Sequence, residues 1–192
     1  MTHPSPTDLL ALHAVRLTGF ADSPTVAARF RLDPDRTHED LLDAQAYGWV
    51  SRSSFADLAG WSLTTAGRRR NEAHLRDELD RVNAHDAVAR AHEHFVTLNA
   101  RAAQVFTAWQ LRPDEATTTL HDLAELAEGL HDLDRSLTAC LARFAGYHDR
   151  FTRALARAGD DREWITGVDV DSCHRIWFEL HEDLIATLGL TR

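Results

Sequence analysis

The sequence predicts a mainly α fold in two parts. The first is a group of short helices with one small pair of strands; the second is a long, almost entirely helical region. Three observations carry this. Apolar residues recur at helical spacing through most of the chain, as in Leu120, Leu123, Ala127 and Leu130. Helix start and stop signals crowd together between Ser23 and Gly48. Two tryptophan-bearing stretches, residues 49–53 and 60–64, read as short strands instead.

Residues 1–5 are polar, with a proline. Pro6 to Thr18 reads as a helix whose apolar face is Leu9, Leu10, Leu12, Val15 and Leu17, with His13 packed among them. Ser23-Pro24 opens a second helix to Phe30, with Ser23 expected as the capping oxygen and proline at the first helical position. Asp33-Pro34 repeats that signal for a third helix to Tyr47. This helix carries Leu41, Leu42 and Ala46 and stops at Gly48, a residue suited to a left-handed cap. Strands at Trp49–Ser53 and Gly60–Thr64 follow, joined by a loop from Ser54 to Ala59 in which Phe55 and Leu58 are expected to fold back onto Trp49 or Trp61, beside Asp57. A helix of nearly 20 residues then runs from about Thr65 to Asn83.

Beyond it, helices are expected over Asp86–Gln110, Thr117–Phe144, Asp149–Ala158 and Asp171–Leu188, with a loose turn around Trp164 and Asp171 as the last helix's cap. Leu111-Arg112-Pro113-Asp114 and Gly146–His148 are the expected breaks. The domains are therefore expected as 1–83 and 84–192.

Helix, helix, strand, loop, strand is the order of a winged helix, so the fold class expected is an N-terminal winged helix-turn-helix with a small two-stranded wing, followed by a C-terminal helical bundle or dimerisation region. The segment L-L-D-A-Q-A-Y-G-W-V-S-R (41–52) resembles the end of the recognition helix in bacterial winged-helix regulators. The segment W-S-L-T-T-A-G-R (61–68) resembles their signature after the wing. The nearest families are the MarR and PadR transcriptional regulators, and the resemblance covers roughly residues 7–83. It implies a DNA-binding repressor or activator, usually dimeric.

Charge sets the terms for that expectation. The net charge is −9, with no lysine in the chain. Residues 1–70 hold eight arginines and eight carboxylates; the other 13 arginines and 22 carboxylates lie in 71–192, which carry the whole excess. The DNA-facing candidates are Arg36, for a guanine edge; Thr37 and His38, for a base edge or phosphate; Arg52 and Ser53, for phosphate; and the cluster Arg68, Arg69 and Arg70. Three consecutive residues span most of a helix circumference, so at least one arginine of that cluster is expected to pair with Glu72 or Asp77. Against DNA stand Asp35, Glu39, Asp40 and Asp43 on the third helix and a wing loop without a basic residue. Two further readings therefore stay open: a winged-helix protein-interaction module that does not bind DNA, and a helical small-molecule or metal sensor.

No chemistry of another kind is expected. Cys140 and Cys173 make no disulfide framework or paired metal motif. His174 and His181 lie two turns apart on one helix face, but there is no HExxH pattern, and neighbouring Cys173 and His174 diverge by about 100°. No catalytic residue, cofactor or metal is assigned. The aromatic C-terminal half, with Phe144, Tyr147, Phe151, Trp109, Trp164, Trp177 and Phe178, is expected to form a core with room for an unidentified small-molecule effector. Neither a membrane-span-length apolar run nor a secretion signal is evident, so a cytoplasmic homodimer with double-stranded DNA as partner is expected.

Overall fold

A computed structural model describes residues 2–55, 58–111 and 116–190, save the side chain of Phe55. The protein is mainly helical with one two-stranded antiparallel sheet. The elements are α1 (Thr7–Thr18), α2 (Ser23–Arg29), α3 (Pro34–Ala46), β1 (Val50–Phe55), β2 (Leu58–Leu63), α4 (Thr65–Val82), α5 (His85–Leu111), α6 (Ala116–Thr138), α7 (Tyr147–Ala158), the short α8 (Glu163–Thr166) and α9 (Cys173–Leu188). Two compact units emerge: Pro4–Asn83 with Ile185–Arg192, and Ala84–Leu184 with Met1–His3. Among the described residues, no helix is long and apolar enough to cross a membrane.

In the first unit, the caps explain the helix boundaries. Asp22, not Ser23, caps α2: its carboxylate accepts from the Thr25 N–H at 2.9 Å, and hydrogen bonding by the Thr25 side chain, then by that N–H, lowers its pKa. Asp33 caps α3 in the same way, accepting from the Arg36 N–H at 2.8 Å. Gly48, at φ +71°, then turns the chain into β1. The inward face of α3 is Thr37, Leu41 and Ala44, not Leu41, Leu42 and Ala46; Leu42 is 38% exposed. Leu12, Val15, Val26, Leu41, Val50 and Trp61 form the centre of this unit's core.

The strands reach further into the expected loop than the residue pattern indicated. Ser54 pairs with Ala59 and Phe55 with Leu58, so the connection is confined to residues 56 and 57; Asp57 lies outside the described residues. Leu58 does not fold back, being 67% exposed. The hairpin is tied to the segment after α1 by two backbone bonds between Ala21 and Trp61, at 2.8 and 3.3 Å.

The start of α4 presses on the α3–β1 turn. The Thr64 hydroxyl donates to Gly48 O (2.7 Å) and lies 3.1 Å from Trp49 O, while accepting from the Gly67 N–H (3.0 Å); the Thr64 N–H donates to Trp49 O at 3.0 Å. The approach is so close that a Cβ on Gly67 would lie 1.8 Å from the Trp49 carbonyl oxygen. Further along, α4 is joined to α1 by Arg16, whose guanidinium donates to Glu72 at 2.9 Å, and by buried His13 against Asn71. Glu72 thus pairs with Arg16. Glu78, on the same helix, is buried.

In the second unit, α6 ends at Thr138 rather than at Phe144. Leu141 instead bridges to His3 in extended form, and a single 3-10 turn (Ala142–Phe144) follows. The break expected over residues 111–114 reaches beyond α5's last residue, Leu111; residues 112–114 lie outside the described residues. Ser172 caps α9, accepting from the Arg175 N–H at 3.3 Å, while Asp171 pairs with Arg150. Arg150 also reaches Glu179 with two nitrogens, at 3.0 and 2.8 Å. Burial works against the guanidinium's charge, but these two carboxylates outweigh it and raise its pKa. Deeper in, fully buried Arg143 donates to Asp183 at 2.5 Å and Tyr147 donates to the same carboxylate at 2.9 Å. Paired with hydrogen bonds this complete, the ions are tolerable in the interior and lock α7 and its preceding turn to α9.

Candidate functional site

The best-defined constellation of the first unit lies where the starts of α2 and α3 meet the hairpin. Trp61, only 1% exposed, donates its indole N–H to Ser23 Oγ at 2.9 Å. Ser23 Oγ is also 2.9 Å from His38 Nδ1. A serine hydroxyl that accepts from the indole keeps its own proton and a second lone pair, so it hydrogen-bonds His38 Nδ1 in either tautomer of the ring. His38 further presents its ring to Trp61 at 6.1 Å, inclined by 65°. Arg52, opposite Trp61 in the sheet, lays its guanidinium over the Trp61 ring at 5.4 Å. These residues line a recess of about 290 Å³ whose other walls include Pro34, Asp22 and Asp35.

The sequence-derived candidates separate accordingly. Arg52 and His38 come together in the recess, and Ser53 is exposed beside Arg52. Thr37 is a correction: it is 1% exposed and faces the core one turn before Leu41, so it cannot touch a base edge. Arg36 is exposed, but its guanidinium is held 3.0 Å from Asp40 one turn along, on the flank of α3 away from the recess. Arg68, Arg69 and Arg70 are exposed on the first turns of α4, and Arg70 stacks over Trp49 at 5.0 Å. The remaining outward face of α3 carries Asp35, Glu39 and Asp43. Sequence reasoning missed the Trp61–Ser23–His38 chain. Its signal was the second cap candidate, Asp22, which frees Ser23 for another partner.

In the second unit, Phe144, Tyr147 and Phe151 are fully buried core. Trp177 is buried as well, but with half-exposed Phe178 it borders an open pocket of about 250 Å³ between α9 and α5, with His174, His181, Asn99 and Phe106. The Trp177 indole donates to Asn99 Oδ1 at 2.8 Å, and the His174 ring meets Phe106 edge-on, burial lowering its pKa. Among the described residues, no three His, Cys, Asp or Glu side chains converge on a point where an ion would sit. Cys173 faces inward, and burial pushes its thiol up to about 12, so it is a packed apolar group rather than a nucleophile.

Comparison with protein-family models, with curated proteins and with solved structures returns no match to this chain.

Proposed function

We propose that the chain is a transcriptional regulator whose first unit is a winged helix that binds double-stranded DNA, acting as a homodimer. One observation carries the reading. The Trp61–Ser23–His38 chain fastens the hairpin to the starts of α2 and α3, so that Arg52 stands beside the N-terminus of the helix a winged domain lays in the major groove. Arg52 and the exposed hydroxyls around it then serve phosphates, which positions the protein without reading sequence. In the second unit, Val96 and Phe178 are each 50% exposed, which suits burial against a second copy. A dimer sets two winged units on half-sites about 34–36 Å apart. The pocket beside Trp177 is the effector site in this reading.

Fluorescence anisotropy with duplex DNA from upstream of the protein's own gene, titrated with salt, tests it. Binding that weakens steeply with salt is expected, and Arg52→Ala is expected to reduce the logarithmic salt slope by about 1. No binding at low salt, or an unchanged slope, refutes the assignment. Light scattering on the eluting protein tests the dimer.

A second reading is favoured by a specific observation: α3 presents Asp35, Glu39 and Asp43 outward, and its one arginine is committed to Asp40. That surface suits a basic protein partner, and in that reading the winged unit is an interaction module without DNA binding.

A further inference from the structure

A helix on the surface of a globular unit normally carries its charges on the side turned from the core. The second half of α5 does not. Residues 96–111 hold a single charged residue, Arg101, in a chain of which 27% is charged. Arg101 is turned to one side, where it pairs with Asp122 and Glu125 of α6. At about 100° per residue, Val96, Ala100, Ala103, Thr107 and Leu111 form one stripe within about 80° of arc and roughly 22 Å long. All five are exposed, Val96 by 50% and Leu111 by 74%. Across a groove from the stripe stands Phe178 of α9, itself 50% exposed. That groove is the open pocket of about 250 Å³ beside Trp177, and no carboxylate, arginine or lysine lines it. A second, shallow recess over α5 shares Ala103 and Thr107 with it, so one uncharged surface continues from Phe178 to Leu111. Its border on α9 carries one residue of each sign, Arg175 and Glu182.

We infer that a second copy of the chain covers this face, α5 against α5 about a two-fold axis, so that the groove beside Trp177 is closed on its open side by the partner subunit. The inference rests on the homodimer proposed above and gives it a surface; the effector pocket of that reading is then incomplete in a single chain. Charge selects the occupant. Each copy carries −9, so two copies repel wherever their acidic surfaces meet. A two-fold contact sets a face against itself, and a face without excess charge tolerates that. DNA finds no basic group on the stripe, and a helix lying on a membrane surface would carry basic residues along its polar face. The small side chains at the centre let two helices approach closely, while Phe178, Val96 and Leu111 supply the apolar area that drives the contact.

The test is sedimentation velocity on the full chain over roughly 1–100 μM, with three variants beside the parent. Ala103→Glu places a carboxylate at the centre of the stripe, on an exposed helical position where glutamate does not disturb folding, and should raise the dimer Kd about 100-fold. Phe178→Ala removes the exposed aromatic side chain and should raise it about 30-fold. Ala124→Glu makes the same change as the first variant at an exposed position of α6 away from the face, and should leave the Kd within about twofold of the parent's. Circular dichroism in urea checks that each variant is folded. A dimer that survives both Ala103→Glu and Phe178→Ala, or one that Ala124→Glu disrupts as strongly, overturns the inference while the homodimer itself stands on another face. A parent that stays monomeric at roughly 100 μM overturns both, and assigns the face to a different partner. A dimer lost in Ala103→Glu from a parent that binds no DNA supports the inference and removes only the DNA-binding part of the reading.

Discussion

Replacing Gly67 with alanine tests how the first unit is held together. The added methyl would lie 1.8 Å from the Trp49 carbonyl oxygen and 2.7 Å from its carbon, and both are backbone atoms that cannot swing aside. A relaxed carbon–oxygen contact needs about 3.3 Å, so α4 and the α3–β1 turn must part by about 1.5 Å. That separation breaks both the Thr64 N–H bond to Trp49 O and the Thr64 hydroxyl bond to Gly48 O. Two hydrogen bonds lost at about 1 kcal/mol each, with overpacking of about 1–3 kcal/mol, outweigh the roughly 1 kcal/mol that alanine gains over glycine in a helix. The expected net loss is about 2–4 kcal/mol, read from the first transition in urea followed by circular dichroism. Gly129→Ala is the internal control. There the new methyl meets only the flexible tip of Leu98, at 2.8 and 2.9 Å, so the helix-propensity gain should leave stability nearly unchanged. A Gly67→Ala protein as stable as the parent, or a control that loses as much, would refute the close-approach argument.

Three further outcomes are expected. Asp183→Ala removes the carboxylate that buried Arg143 and Tyr147 share, and should cost about 3–5 kcal/mol in urea titration; a loss below 1 kcal/mol would show that the pair does not hold α9 in place. Ser23→Ala removes the acceptor of a buried indole N–H and should cost about 1–3 kcal/mol, with the Trp61 indole proton exchanging faster in NMR; unchanged exchange would remove the hydrogen-bond chain from the account. Cys173 should resist iodoacetamide at pH 8 in the folded protein while partly exposed Cys140 reacts, and both should react in urea. Because burial raises the Cys173 pKa, its thiol contributes stability that is intact below the ordinary thiol range and is lost as pH climbs from there toward about 12. Rapid modification of both thiols in the native state would contradict that burial.

Much of the element order was legible because its signals are local. Two aspartate- or serine-proline starts, the glycine at 48 and the tryptophan strands each act over a few residues, and they mark α2, α3 and the hairpin within a residue or two. Errors arose where two neighbours compete for one role. Asp22 and Ser23 both suit a cap, as do Asp171 and Ser172, and in each pair the loser has a distant partner: Trp61 for Ser23, Arg150 for Asp171. The α3 face was misread by one phase step, since Leu41 fits both Leu42–Ala46 and Thr37–Ala44 patterns; about 100° per residue then decides whether Thr37 is surface or core.

Taken alone, the sequence determined the helical class, the position of the single hairpin and the concentration of acidity beyond residue 70, because propensity, capping and composition need no long-range partner. Only the tertiary structure decided which polar groups meet: Ser23 with Trp61 38 residues away, His13 with Asn71 58 residues away, and Arg143 with Asp183 40 residues away. It also decided that Arg36 and His38, two residues apart on one helix, border different cavities. Such pairings depend on which faces are buried together, and a buried polar group is satisfied by whatever packing brings beside it rather than by its neighbours in the chain.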